Sequence, residues 1–422
     1  MKLLIQNGRL IDADSQRDEI TNILIEDDTI KSIGDIPVTP EMEIIDATGL
    51  VVMPGLIDIH VHLRDMDQAD KETVETGTLA ALKGGVTTLF AMPNTSPTLD
   101  SVKNIQSYQE LMKNTHVETH LIGSITQNLA GEALADIDRY PELGIRAISD
   151  DGHDVDNEVL LTEAYQKARE NNLLLITHPE MHQMAPDGVI NQGKVSEQLG
   201  VPGQPNEKEW KAVERGIKIA LERGIRAHFT HITTKESVEL IRDVKRRTRL
   251  ISCDVTPHHL ILTEDRVLEV GSFGKVNPPL RTEADRQALI EGLKDGTIDL
   301  IATDHAPHRE QDKSEDLLSS AFGFSQIETS LASMITELHF NQGIPLLKLV
   351  EWMSLNPARM MNLPQGRLKV GHPADMVLVN LEAEKKVDRL SFASKGKNSP
   401  YHDMSFKGWP VKTIFRGRIS GN

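Results

Sequence analysis

Apolar residues along this chain fall into short runs, and what separates the runs changes twice. Over the first fifty residues, Leu3-Leu4-Ile5, Ile23-Leu24-Ile25 and Ile44-Ile45 are followed by Asn7-Gly8, Asp27-Asp28 and Thr48-Gly49. Short apolar runs closed by such residues predict strands, and Asn-Gly predicts a hairpin turn. The far end reads the same way, with runs at 376–379 and 411–415 and then Gly417. The two ends, 1–52 and 366–422, therefore predict one small composite β-domain, a β-sandwich built from both termini. Between them, over 53–365, short apolar runs alternate with helical stretches. Candidate strands lie at 56–62, 86–92, 119–125, 144–149, 173–178, 225–231, 250–255 and 299–304. Helix-like segments include 72–83, 157–170, 207–222 and 235–245. That alternation predicts an α/β fold, and its strand count is that of a (β/α)₈ TIM barrel.

The polar residues at the ends of these runs change the picture from fold to chemistry. Seven of the eight runs end in, or lead at once into, groups that bind metals or anions. In order they are His60 and His62, Asn94, Asp150 and Asp151, His178, His231, His258 and His259, and Asp304. In a barrel these all open onto the C-terminal face, where βα loops build active sites.

Composition narrows the chemistry. The chain has 422 residues, 39% apolar, and a formal net charge of −17, which excludes a basic nucleic-acid-binding face. An acidic protein that takes an anionic metabolite must place individual Arg or Lys side chains inside its pocket. The one cysteine, Cys253, rules out an internal disulfide and a Cys-based zinc knuckle. Any metal must then be held by His, Asp or Glu. The opening Met1-Lys2-Leu3-Leu4-Ile5 is too short an apolar run for a signal peptide, and no run approaches a membrane span. A cytoplasmic enzyme of a small molecule is expected, without nucleic acid or membrane, with a homodimer as the assembly to test.

Asp58-Ile59-His60-Val61-His62-Leu63-Arg64 alternates polar and apolar residues. Residues two apart on a strand share a face, so His60 and His62 aim together, with Asp58 below and Arg64 above on a continued strand. Two imidazoles so spaced can chelate one cation. His178 and His231 end their strands, whereas His228, inside its run, reads as a core histidine. Asp304 follows an apolar run, where a buried carboxylate needs a metal or a cap as compensation. Of Asp150 and Asp151, one suits the turn before Gly152 and the other can bridge two cations.

With these residues in place, the chain resembles the dihydroorotases of the amidohydrolase superfamily. The resemblance rests on His-x-His-x-Arg at 60–64, the Thr-Asp-His-Ala-Pro-His run at 303–308, Met92-Pro93-Asn94-Thr95 and Asn277-Pro278-Pro279-Leu280-Arg281, and covers nearly the whole chain. It implies His60, His62 and Asp304 as ligands of a first metal. It implies Asp151 as a bridge to a second, held also by His178 and His231. Many relatives carry a carbamylated lysine at the bridging position. The stretch at 144–151 has no lysine, which matches the subgroup using aspartate, with one or two zinc ions. Arg64, Asn94 and His308 resemble a clamp on a substrate carboxylate, and Asn277 a contact to the pyrimidine ring. The alternatives are a salt bridge from Arg64 to Asp65 or Asp58, a turn role for Asn94 and a backbone-bonded loop His308. His258, His259 and His305 are expected to line the site or support its ligands.

The implied reaction is reversible hydrolysis of dihydroorotate to N-carbamoyl-aspartate in pyrimidine biosynthesis, with Asp304 as the catalytic proton carrier. Three stretches depart from the family's usual pattern: Asp65-Met66-Asp67, Pro179-Glu180 and the loop after His308. Two other readings compete. One is another cyclic amide hydrolase, allantoinase-like or hydantoinase-like. The other is a non-catalytic barrel acting as an interaction partner, which would be expected to lose ligands that this chain keeps.

Overall fold

The computed structural model describes residues 2–313 and 316–420, with the side chain of Ser420 excepted. The amino-terminal strands are β1 (Lys2–Asp12), β2 (Arg17–Glu26), β3 (Thr29–Gly34), β4 (Met42–Asp46) and β5 (Val51–Pro54). Through the middle run β6 (Leu56–Val61), β7 (Val86–Ala91), β8 (Glu118–Leu121), β9 (Ala147–Ile148), β10 (Leu174–Thr177), β11 (Ile190–Asn191) and β12 (Gly203–Gln204). They continue with β13 (Ala227–Phe229), β14 (Ile251–Val255) and β15 (Leu300–Ile301), and the carboxyl end supplies β16 (Met376–Lys386), β17 (Ser405–Phe415) and β18 (Arg418–Ser420).

The central strands form two parallel sheets, β6-β7-β8 and β15-β14-β13-β10-β9. Their edges meet at two parallel bridges, Gly123 with Ile148 and Val61 with His305. One apolar cluster runs through both sheets, with Ile59, Phe90 and Ile122 from one and Leu174, Ile176 and Leu300 from the other. Strands covered on both faces read as near-continuous apolar runs, which is the pattern these segments have. Helices fill the connections. Asn157 caps Glu158–Glu170 by accepting from the backbone of Val159 and Leu160, and Thr234 caps Lys235–Lys245 by accepting from Ser237. Helix Glu207–Arg223 ends at Gly224 in the left-handed region.

The remaining large sheet is ordered β18-β17-β16-β5-β1-β2-β3, with β4 beside β1, so it draws on both ends of the chain. Its core includes Leu3, Ile5, Ile25, Leu378 and Ile414. One expectation fails here. Asn7-Gly8 is not a hairpin turn but a bulge inside β1, with Asn7 at φ 60° and the register slipping between Ile5 and Gly8. The strand continues because Arg9 and Leu10 pair with Val51 and Val52. A Cβ at Gly8 would sit 2.6 Å from a methyl of Val52, so the glycine serves a close approach between strands.

The central strands are also shorter than their apolar runs. β15 spans only Leu300–Ile301, and β9 only Ala147–Ile148. His231 and Asp304 lie past their strands at φ 37° and 51°, conformations that non-glycine residues adopt only where their surroundings enforce them. Arg64 does not continue β6 either. Arg64, Asp65 and Met66 form a left-handed stretch at φ 53°, 60° and 50°. The side chain of Arg64 is therefore placed by a turn, not by strand alternation.

Candidate metal centre

His60, on β6, and His62, just beyond it, lie beside Asp151, which follows β9. Nε2 of His60 is 3.2 Å from Asp151 Oδ1, and Nε2 of His62 is 3.3 Å from Asp151 Oδ2. Asp304 Oδ1 lies 3.4 Å from His60 Nε2 and 2.9 Å from His62 Nε2. On the other side, His178 Nδ1 and His231 Nε2 each lie 3.5 Å from Asp151 Oδ1, and 2.9 Å from one another. One carboxylate oxygen thus faces three imidazole nitrogens. Two overlapping groups can each hold a metal ion: His60, His62 and Asp151, and Asp151, His178 and His231.

The donor atoms satisfy what a cation needs. Nε2 of His60 and Oδ1 of Asp151 are buried and have no hydrogen-bond partner among the described residues. Buried polar atoms are rarely left so, and their unused lone pairs converge. The outward nitrogens are tied down instead. His60 Nδ1 is 2.7 Å from Thr230 Oγ1, and His62 Nδ1 is 2.7 Å from Asn94 Oδ1. His178 Nε2 is 2.8 Å from Glu180 Oε2. Burial alone would raise the Asp304 carboxyl, but the imidazoles of His60 and His62 hold it ionised, well below its usual range. An all-nitrogen and oxygen set with buried, oriented imidazoles suits a borderline divalent ion.

Asp150 does other work. It accepts from the backbone of Ile125 and Thr126 and from the Thr126 hydroxyl, so it builds the turn that presents Asp151. Asp58 likewise accepts from Thr303, through N–H and hydroxyl, and so fixes the approach to Asp304. His228 sits between Ser252 and Asp254 as a core residue. His259 lies 2.7 Å from Thr256 Oγ1 and 3.0 Å from the Pro278 carbonyl oxygen, a structural role. His258 Nδ1 is bonded to Gln326, and His305 Nδ1 accepts from the Gln326 backbone.

Sequence reasoning missed Asp254. This fully buried residue of β14 accepts from Thr230 at 2.9 Å and from the backbone of His231 at 2.6 Å, so it orients two neighbours of the cluster at once. Its signal was the acid inside the apolar run 250–255, the same kind of anomaly that marked Asp58. Glu180 and Lys208 were missed as well.

Beside the cluster lies a second group. Arg64 is buried, with Nε 3.4 Å from the Pro307 carbonyl and Nη2 3.5 Å from His308 Nε2. Neither acid suggested as its partner holds it. Asp58 is engaged by Thr303, and Asp65 accepts from the backbone of Met66 and Val74. Burial, and then the charge of Arg64, push His308 well below its ordinary value, so its ring is neutral. Asn94, linked to His62, also reaches the Asp151 carbonyl at 3.5 Å. Asn277 has both ends of its amide engaged, Nδ2 with Glu180 at 2.7 Å and Oδ1 with Gln204 at 3.1 Å.

Residues 51–420 match the amidohydrolase family. A dihydroorotase of Bacillus cytotoxicus is 40% identical over 420 residues, 99% of this chain and 98% of that protein. One from Halalkalibacterium halodurans is 39% identical over the same length, again covering 99% and 98%. Among solved structures, an L-hydantoinase (dihydropyrimidinase) from Arthrobacter aurescens superposes with a TM-score of 0.89 at 27% identity, covering 100% of this chain and 96% of that one. A D-hydantoinase at 22% identity shares the fold, with a TM-score of 0.87, covering 100% and 95%. On a family match over most of its length and full-length relatives of that name, the chain belongs to the amidohydrolase family, among the dihydroorotases.

Proposed function

We propose that this protein is a zinc-dependent dihydroorotase that interconverts (S)-dihydroorotate and N-carbamoyl-L-aspartate in pyrimidine biosynthesis. The bridged edges of the two central sheets support reading them as one (β/α)₈ barrel, residues 53–365, flanked by a composite β-domain of 1–52 and 366–422. No helix among the described residues is long and apolar enough to cross a membrane.

The observation that carries the metal assignment is Asp151 Oδ1, without a hydrogen-bond partner among the described residues and facing three imidazole nitrogens. His60, His62 and Asp304 would hold one ion, His178 and His231 a second, with Asp151 between them. Bound zinc supplies an acidified water and a polarised carbonyl at neutral pH. The residues do the rest. The ionised Asp304 accepts a proton from the attacking water and returns it to the ring nitrogen as the amide C–N bond breaks. Arg64, with no carboxylate partner among the described residues, and the adjacent His308, whose Nδ1 lies 3.9 Å from Asp312, would clamp the substrate carboxylate, with Asn94 beside His62. Asn277 would border the ring beside His178. Held so, the reacting amide has one orientation.

The solved hydantoinase structures favour one second reading, a cyclic amide hydrolase for uncharged rings. Arg64 argues against it, because a buried guanidinium with no carboxylate partner among the described residues calls for an anionic substrate. The deciding experiment is metal analysis of purified protein with an assay on dihydroorotate before and after chelation. Turnover that survives complete metal removal would overturn the proposal, as would a metal-loaded protein inert towards dihydroorotate.

A further inference from the structure

His178 is supported from behind by a buried ion pair that the proposed reaction does not use. Nδ1 of His178 faces Asp151 Oδ1 and His231 Nε2, while Nε2 faces Glu180 Oε2 at 2.8 Å. Glu180 is ringed by donors. Asn277 Nδ2 reaches Oε2 at 2.7 Å, and Lys208 Nζ lies 2.6 Å from Oε1. His182 accepts from the Asp154 backbone through Nε2, so its Nδ1 carries a proton towards Glu180 Oε1, 3.4 Å away.

Lys208 is misplaced by ordinary rules. It is buried, with 5% of its surface exposed, in the first turn of helix Glu207–Arg223. Burial of an ammonium and proximity to the positive end of a helix dipole both cost free energy. The ion pair with Glu180 offsets them. It also fixes the carboxylate, because Lys208 holds Oε1 and leaves Oε2 facing His178 Nε2. A carboxylate oxygen can only accept there, so the ring N–H it meets is the one on Nε2.

We propose that Glu180, balanced by Lys208, is a positioning residue for the second metal site. It holds the His178 proton on Nε2 and so turns the Nδ1 lone pair towards Asp151 and His231. This rests on the reading of the cluster as a metal centre. The test is equilibrium dialysis of whole protein against graded zinc, with metal counted per chain, and the visible spectrum of the cobalt-loaded form. In Glu180→Gln, the ion at His178 and His231 should bind about 10–100-fold more weakly, as expected for loss of an outer partner, and the cobalt bands should shift. Occupancy by the His60 and His62 ion should stay unchanged. Lys208→Met should weaken the same ion in the same direction, and it carries the test if Glu180→Gln fails to fold. Unchanged zinc affinity and an unchanged cobalt spectrum in the folded variants would overturn the role. A wild-type protein that takes up no zinc would instead overturn the metal centre itself.

Discussion

The guanidinium Nη2 of Arg64 lies 3.5 Å from Nε2 of His308, joining the loop after β6 to the loop after β15. Both groups are buried, and His308 is neutral, so the pair presents one positive charge and one neutral ring beside an acidic cluster. Arg64→Ala should therefore damage kcat/KM for dihydroorotate far more than for dihydrouracil. Truncating one partner of a buried charge pair costs roughly 2–5 kcal/mol. Measuring both substrates in both proteins decides the matter. Equal losses would make Arg64 structural and favour a hydantoinase-like preference.

Asp304 touches the imidazoles of both His60 and His62 but is proposed to matter most through its proton. Asp304→Asn should keep much of the metal while losing turnover by ~10²–10⁴-fold, the usual worth of a positioned acid or base. Metal content and kcat on the same preparation check this. Near-normal kcat in the metal-loaded variant would remove Asp304 from the mechanism.

Asn94 Oδ1 sits 2.7 Å from His62 Nδ1 and so sets which His62 nitrogen faces the carboxylates. Asn94→Ala should then lower zinc affinity about 10–100-fold, a loss readable without substrate. If zinc binding is untouched and only the KM for dihydroorotate rises, Asn94 acts on the substrate alone.

Far from the site, Asp375 is buried between β16 and the turn at Arg416, whose N–H it accepts at 2.7 Å. Burial pushes its carboxyl up to about 6 from 3.8. A raised carboxyl binds its proton more tightly folded than unfolded. Stability should fall as pH rises from about 4 to about 6 and stay reduced above that. Asp375→Asn keeps an acceptor and should stabilise the protein at pH 7, by at most about 3 kcal/mol on ~1.36 kcal/mol per pKa unit. Thermal melts at pH 7 and pH 4 test it, with the gain expected only at pH 7.

The sequence by itself determined the alternation of apolar runs and helices, because buried parallel strands and capped helices leave local marks. Asn157 and Thr234 sit where caps belong, and Asp27 turns the chain between β2 and β3 at φ 58°. It also marked the site, since ionisable groups such as His60, His178 and Asp304 at the ends of apolar runs are costly without partners. What it could not decide depends on contacts far apart in the chain. Asn7-Gly8 has the signal of a hairpin, but pairing with Val51 and Val52 draws it into a strand. Arg64 follows two alternating histidines, yet a left-handed turn places it. The choice between Asp150 and Asp151 was settled by Ile125 and Thr126, whose N–H groups claim the first and leave the second for the cluster. Glu180 and Lys208 were silent for the same reason. A hydrogen bond across two strands, or an ion pair between a loop and a helix, has no spacing in the sequence and exists only once the chain has closed on itself.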